Sequence, residues 1–269
     1  MDRRELLKAL IALTGSVTTA HLLLQSSGGA SAGVIAPLEA QEPGVTVEAI
    51  KYPSGSIQVE GYLAKPPGTG KFPAIISVHE NRGLNDHFKG LARRFAAEGF
   101  VALAPDLLSR LGGMASMKTP NEAGAAIGRL PIPEGLADLR EGFTYLSKHP
   151  AVDPQKISAI GFAWGGWRSF MLATQAPELR HLVVFYGTTP DRGLENIKAS
   201  VLAHYASRDR GITGNSQWTA RELKRLGKQY TFYIYDNTDS AFFNDTAGPR
   251  YSAEASQLAW SRTLQFLKG

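Results

Sequence analysis

The chain has 269 residues, of which 43% are hydrophobic and 20% charged, with a formal net charge of +5 and no cysteine. Such a composition supports a sizeable core without disulfides and excludes thiol chemistry and Cys-ligated zinc. The basic residues are scattered, with no run of them beside aromatic residues, so no nucleic-acid partner is expected.

The chain starts "MDRRELLKALIALTGSVTTAHLLLQSSGGASAG", a positive start and an apolar middle ahead of the small-residue triplet Ala30-Ser31-Ala32. That order fits a signal peptide over residues 1–32, and Arg3-Arg4 followed by Leu6, Leu7 and Lys8 resembles a twin-arginine export signal, which implies a periplasmic destination. The alternatives are an amphipathic surface helix or a weak anchor. Thr14, Gly15, Ser16, Thr18, Thr19 and His21 break the apolar stretch, so it spans a bilayer poorly, and no later segment is apolar enough to span one. Residues 33–45, rich in Gly, Pro and Glu, read as a linker into one domain over 46–269.

"VTVEAIKY" and "SIQVEGYLAKP", separated by Pro53-Ser54-Gly55, alternate as the two strands of a hairpin. "FPAIISVHE" and "FVALAPD" are continuous apolar runs, as expected of strands buried on both faces, and the helical spacing of "DHFKGLARRFAAEG" lies between them. Residues 107–134 show little periodicity and read as a long loop or mobile lid. After them come a helix over "PEGLADLREGFTYLSKHP", a strand "KISAIGF" and a helix from Trp164 to Gln175. The strands "LRHLVVFYG" and "ASVLAHYA", the helix "GNSQWTARELKRLGK", the strand "QYTFYIYD" and the helix "SAEASQLAWSRTLQFLK" complete the chain. This alternation predicts an α/β fold: a mostly parallel sheet of about eight strands, helices on both faces and an antiparallel hairpin at one end.

"GFAWGG", residues 161–166, joins a strand to a helix through a glycine-framed turn. In a turn of the G-x-S-x-G type the central residue is a nucleophile held above the sheet edge beside a helix N-terminus. Here it is Ala163. The segment is not G-x-G-x-x-G, which argues against a dinucleotide site. Asp209 follows "VLAHYASR" and Ser240 follows "FYIYDNTD", in the chain order nucleophile, acid, base.

Across residues 45–268 the chain resembles the dienelactone hydrolase family of α/β-hydrolases, whose patterns G-F-C-x-G-G, Y-G-x-x-D and Y-x-x-x-x-H-A-F correspond to "GFAWGG", "YASRD" and "YDNTDSAFFND". The resemblance implies a Cys-His-Asp triad acting on esters or lactones, with the nucleophile position at Ala163, the base position at Ser240 and the acid at Asp209. It matches Glu80 to a carboxylate near the nucleophile and places oxyanion donors at the backbone N–H groups of Asn81 and Trp164. It also matches Arg110 to a guanidinium that binds the substrate carboxylate; the family's second such arginine falls near Asn244, a departure. No cofactor and no metal is expected.

Plainer readings stand beside these. Glu80 is otherwise a solvated loop carboxylate, Asp209 a loop cap, and Arg110 a solvated side chain. His79-Glu80 begins H-E-x-x-H, but Gly83 occupies the second histidine position, which removes zinc. Trp164 is expected to line the pocket, Trp167 to pack in the core or at its edge, and His204 to be a core histidine. Ser240 as a nucleophile has no base placed to activate it. With neither nucleophile nor base, little or no hydrolase activity is expected. The sequence reads first as a hydrolase whose catalytic pair has been replaced by design, the alternative being a natural relative that binds a small carboxylate or ester.

Overall fold

The computed structural model describes residues 43–269, so the expected export signal over residues 1–32 and residues 33–42 of the expected linker lie outside the described residues. Strand β1 (Thr46–Ser54) turns back into β2 (Ile57–Lys65) in antiparallel register from Thr46 against Lys65 to Ser54 against Ile57. Gly55 makes the two-residue turn at φ +60, a conformation glycine adopts without steric cost. β2 pairs antiparallel with β4 (Val101–Pro105). From there the sheet is parallel through β3 (Phe72–Val78), β5 (Val152–Phe162), β6 (His181–Phe185), β7 (Ser200–Ala206) and β8 (Tyr230–Tyr235). The spatial order is β1-β2-β4-β3-β5-β6-β7-β8, the eight-stranded, mostly parallel α/β sheet that the alternation of segments predicts.

Successive side chains of a strand face opposite sides, so the central strands split between two cores. Ala74, Ile76, Val101 and Leu103 join one cluster, while Ile75, Ala102 and Ala104 join the other. Helix α1 (Asp86–Ala97) closes over the second cluster with Phe88, Leu91 and Phe95, together with the last helix, α7 (Ala253–Lys268). Helices α3 (Ile132–Lys148), α4 (Trp164–Gln175) and α6 (Ser216–Arg225) cover the first through Leu139, Phe170 and Leu223. A five-residue helix, α5 (Arg210–Gly214), precedes α6.

Residues 107–134 are more ordered than a loop. They hold short 3-10 turns at Ser109–Leu111 and Met114–Ser116, helix α2 (Pro120–Arg129) and the start of α3. The sequence carries a start signal for α2: the Thr119 hydroxyl accepts from the Glu122 N–H at 3.1 Å, Glu122 accepts from the Lys118 N–H at 2.8 Å, and Pro120 opens the helix. Its apolar face is short, so periodicity alone passes over it. Ala123, Ala126 and Ile127 form a satellite core with Leu108, against which Trp164 packs.

The chain visits β3, then β4 on one side, then β5 on the other. The carboxyl ends of β3 and β5 therefore flank the crevice where open α/β sheets bind ligands. Glu80 lies just beyond β3 and Ala163 just beyond β5.

Candidate active site

Close packing explains the glycines of the turn. A Cβ at Gly161 would come within 2.3 Å of the Gly165 carbonyl oxygen, and one at Gly165 within 2.3 Å of the His79 carbonyl oxygen. Helix α4 is thus pressed onto the ends of β3 and β5, with Ala163 at its N-cap holding φ 49 and ψ −112. A non-glycine residue held there costs about 1–3 kcal/mol. The Ala163 carbonyl accepts from the Gly166 N–H at 2.9 Å. Because the trans peptide sets C=O and N–H antiparallel, the Trp164 N–H points out of the helix start, beside the Ala163 methyl.

The peptide from Glu80 to Asn81 is held in the same manner. His79 Nε2 accepts from the Leu107 N–H at 3.3 Å, so the ring proton sits on Nδ1, which donates to the Glu80 carbonyl at 2.7 Å. The Gly83 N–H donates to the same oxygen at 3.2 Å. With that carbonyl fixed, the Asn81 N–H faces the other way. Burial pushes the fully enclosed His79 ring down from its usual range, which keeps it neutral. His79 also stacks on Trp164 at 5.8 Å and 9°. Among the described residues neither the Asn81 nor the Trp164 N–H donates to a protein acceptor.

Glu80 is 7% exposed. Tyr186, one residue past β6, donates to its Oε1 at 3.0 Å, and Asn244 Nδ2 donates to its Oε2 at 3.1 Å. β5 stands between β3 and β6, so the bond from Tyr186 spans the end of β5, where Ala163 is. Burial and the neighbouring Glu80 charge push the Tyr186 phenol well up, so it remains a donor.

Across the site Asp209 caps α5, its Oδ1 accepting from the Ile212 N–H at 3.1 Å, while its Oδ2 accepts from the Ser240 hydroxyl. Asp209 is therefore both a loop cap and the partner of Ser240. A cavity of about 380 Å³ is lined by Ala163, Trp164, Trp167, Thr188 and Ile212, with no charged side chain in its wall. Trp167 belongs to that wall rather than to the core or its edge. One turn of helix separates it from Ala163, so it rises on the same side of α4.

Arg110 is committed elsewhere. Its Nε and Nη2 grip the buried Asp138 carboxylate at 2.8–3.1 Å, and Nη2 donates to the Ser54 hydroxyl at 3.2 Å. The expected carboxylate clamp therefore has its charge neutralised within the fold, and Arg110 does not line the cavity. His204 is a core histidine: Nδ1 meets the Tyr235 hydroxyl at 2.8 Å, Nε2 meets Thr263 at 3.0 Å, and burial lowers its pKa to about 3.

Three contributors escape the sequence. His79 is legible only as half of a failed zinc motif, and Tyr186 only as an apolar strand end. Arg168 is the third, 3% exposed, with its guanidinium 4.6 Å from the Trp164 ring centroid and donating to the Ile132 and Leu130 carbonyls. It ties the cavity wall to the junction of α2 and α3. Three of the four non-glycine residues with positive φ among the described residues, Ala163, Tyr186 and Ala241, stand at or beside this site. No group of three or more His, Cys, Asp or Glu able to hold a metal occurs among the described residues.

Known proteins agree with this architecture. The sequence is 28% identical over 235 residues to a Synechocystis protein whose assigned name is carboxymethylenebutenolidase, covering 81% of this chain and 95% of that one. A Klebsiella pneumoniae structure assigned as a dienelactone hydrolase superposes with a TM-score of 0.76 at 26% identity, over 83% of this chain and 98% of that one. The dienelactone hydrolase of Anabaena variabilis shares the fold, with a TM-score of 0.65 at 18% identity, over 84% of this chain and 98% of that one. The sequence profile of the dienelactone hydrolase family matches residues 59–269, so this chain, with alanine in its elbow, belongs to that family.

Proposed function

We propose that the cavity above the elbow binds a small ester, lactone or carboxylate, and that the chain turns such esters over little or not at all. The reading rests on one observation: the acid and base positions still meet, through the Ser240 hydroxyl on Asp209, beside a cavity floored by a strained Ala163. Hydrolysis through an acyl-enzyme needs an attacking atom at 163 and a proton acceptor at 240. A methyl group and a hydroxyl supply neither. Losing one member of such a unit already costs on the order of 10⁶ in rate, and losing the second adds little. Two unpaired backbone N–H groups leave residual acceleration of about 10³ over water.

The elbow strain, the Asp209 contact and the Glu80 network support a hydrolase whose two side chains were replaced over a natural ligand-binding relative. The test is kcat/KM on small esters and enol lactones for this chain and for Ala163→Cys/Ser240→His. A gain of several orders of magnitude supports the first; an inactive double variant that still binds a carboxylate with micromolar affinity supports the second. We also infer export by a twin-arginine route from residues 1–32. A reporter fused after residue 32 should reach the periplasm, and Arg3→Lys/Arg4→Lys should retain it in the cytoplasm.

A further inference from the structure

We propose that the cavity selects its ligand by charge: it takes an uncharged ester or lactone carrying a flat apolar group and disfavours a free carboxylate. The inference rests on the proposed binding of a small acyl ligand and narrows its class.

A site that holds an anion must replace the water it strips away with a cation or a set of donors. Without them, desolvation outweighs what apolar contact returns. Five residues line this cavity: Ala163, Trp164, Trp167, Thr188 and Ile212. Two indoles, a methyl and a branched alkyl chain make the wall apolar, and Thr188 supplies its one hydroxyl.

The guanidinium groups that could answer a negative charge are held elsewhere. Arg110 grips Asp138 through Nε and Nη2. Asn244, which stands near the second clamp position, is neutral and donates to Glu80. Arg168 is 3% exposed and donates to the Ile132 and Leu130 carbonyls. Its guanidinium lies 4.6 Å from the Trp164 ring centroid and 5.6 Å from that of Trp167, yet it does not line the cavity. Asp209 adds a negative charge beside the wall, since its Oδ1 accepts from the N–H of Ile212 at 3.1 Å. The Trp164 N–H at the start of α4 offers one bond and a share of about half a unit of positive charge. That suits a carbonyl oxygen and falls short of a carboxylate.

An uncharged ligand gains where the anion loses. Flat π systems pair with indole by more than the area they bury, and a cavity of about 380 Å³ is in the range of small-molecule sites. Trp164 and Trp167 thus favour a ring-bearing ester.

The test is calorimetric binding of methyl phenylacetate, phenylacetamide and phenylacetate to the full chain at neutral pH. All three carry one ring, and the amide and the carboxylate share a shape and differ in charge. The ester and the amide should each bind about ten-fold or more tightly than the carboxylate. Thr188→Arg, at an exposed position, should raise carboxylate affinity about ten-fold, and Trp167→Ala should weaken the ester about ten-fold. Three results overturn the inference and leave the binding proposal standing: a carboxylate held as tightly as the amide, a carboxylate unmoved by Thr188→Arg, or an ester unweakened by Trp167→Ala. Binding of none of the three probes overturns both.

Discussion

The two halves of the site are held by different means. The half at the ends of β3, β5 and β6 is fixed by close backbone packing, with glycines that tolerate no Cβ and peptides oriented by the His79 ring and the first turn of α4, and by a buried carboxylate bonded on both oxygens. At the ends of β7 and β8 the backbone is joined by the Arg208 N–H on the Thr238 carbonyl at 3.0 Å, while Asp209 and Ser240 meet through a side-chain bond, the Ser240 hydroxyl on the Asp209 carboxylate. Replacing a side chain leaves backbone packing in place and removes only the bonds that side chain makes. That is why a chain with alanine at 163 and serine at 240 still presents an elbow, two N–H groups without a protein acceptor and a cavity.

The comparison can be broken most forcibly at its backbone side. Gly165→Ala drives a Cβ to within 2.3 Å of the His79 carbonyl oxygen and 2.5 Å of the Val78 carbonyl oxygen, where neither strand end can yield. It should cost about 3 kcal/mol, seen as a drop in the urea midpoint at unchanged slope. A loss below about 0.5 kcal/mol would show that the elbow is not closely packed.

Acid sharpens the contrast between site and scaffold. Burial lowers His204 to about 3 and His181 to about 4, so both are neutral in the folded chain yet protonate near 6.5 when it unfolds. Their folded pKa values are depressed, so this stability is complete above about pH 6.5 and falls as pH drops toward 4 and then 3, by about 1.4 kcal/mol per pH unit per histidine. His181→Leu should flatten the curve between pH 6.5 and 4 in urea melts. An unchanged slope would show that His181 binds its proton equally in both states.

The side-chain half should be cheap to disturb. Ser240→Ala removes one hydrogen bond while Asp209 keeps its bond from Ile212, at a cost of about 1 kcal/mol. Ala163→Gly, by contrast, should raise stability by about 1 kcal/mol, because glycine accepts a φ of 49 without strain. A destabilised Ala163→Gly would mean that the methyl packs well enough to outweigh its backbone cost.

Much of this was legible from residue order. Alternation placed the two hairpin strands, the remaining apolar segments placed the other strands, "GFAWGG" placed the elbow, and chain order related Asp209 to Ser240. Helix α2 was missed because three small or apolar residues on a ten-residue helix give little periodic signal, although Thr119-Pro120 and Glu122 mark its start. Trp167, expected in the core or at its edge, lines the cavity instead, because the direction of its side chain depends on how α4 sits on β5. The pairing of Arg110 with Asp138 spans 28 residues of sequence and two elements, and no local pattern reveals it. The Tyr186–Glu80–Asn244 network, joined across 106 and 164 residues, is equally invisible before the sheet is assembled.

The central claim is that the scaffold is ready for acyl chemistry and lacks only two side chains. Its most direct test is kcat/KM on an enol lactone for this chain, for Ala163→Cys, for Ser240→His and for the double variant. The account predicts background rates for the parent and both single variants, and a gain of about 10³-fold or more for the pair, because the nucleophile and its base act as one unit. A double variant that folds, binds the lactone and stays at background would contradict it.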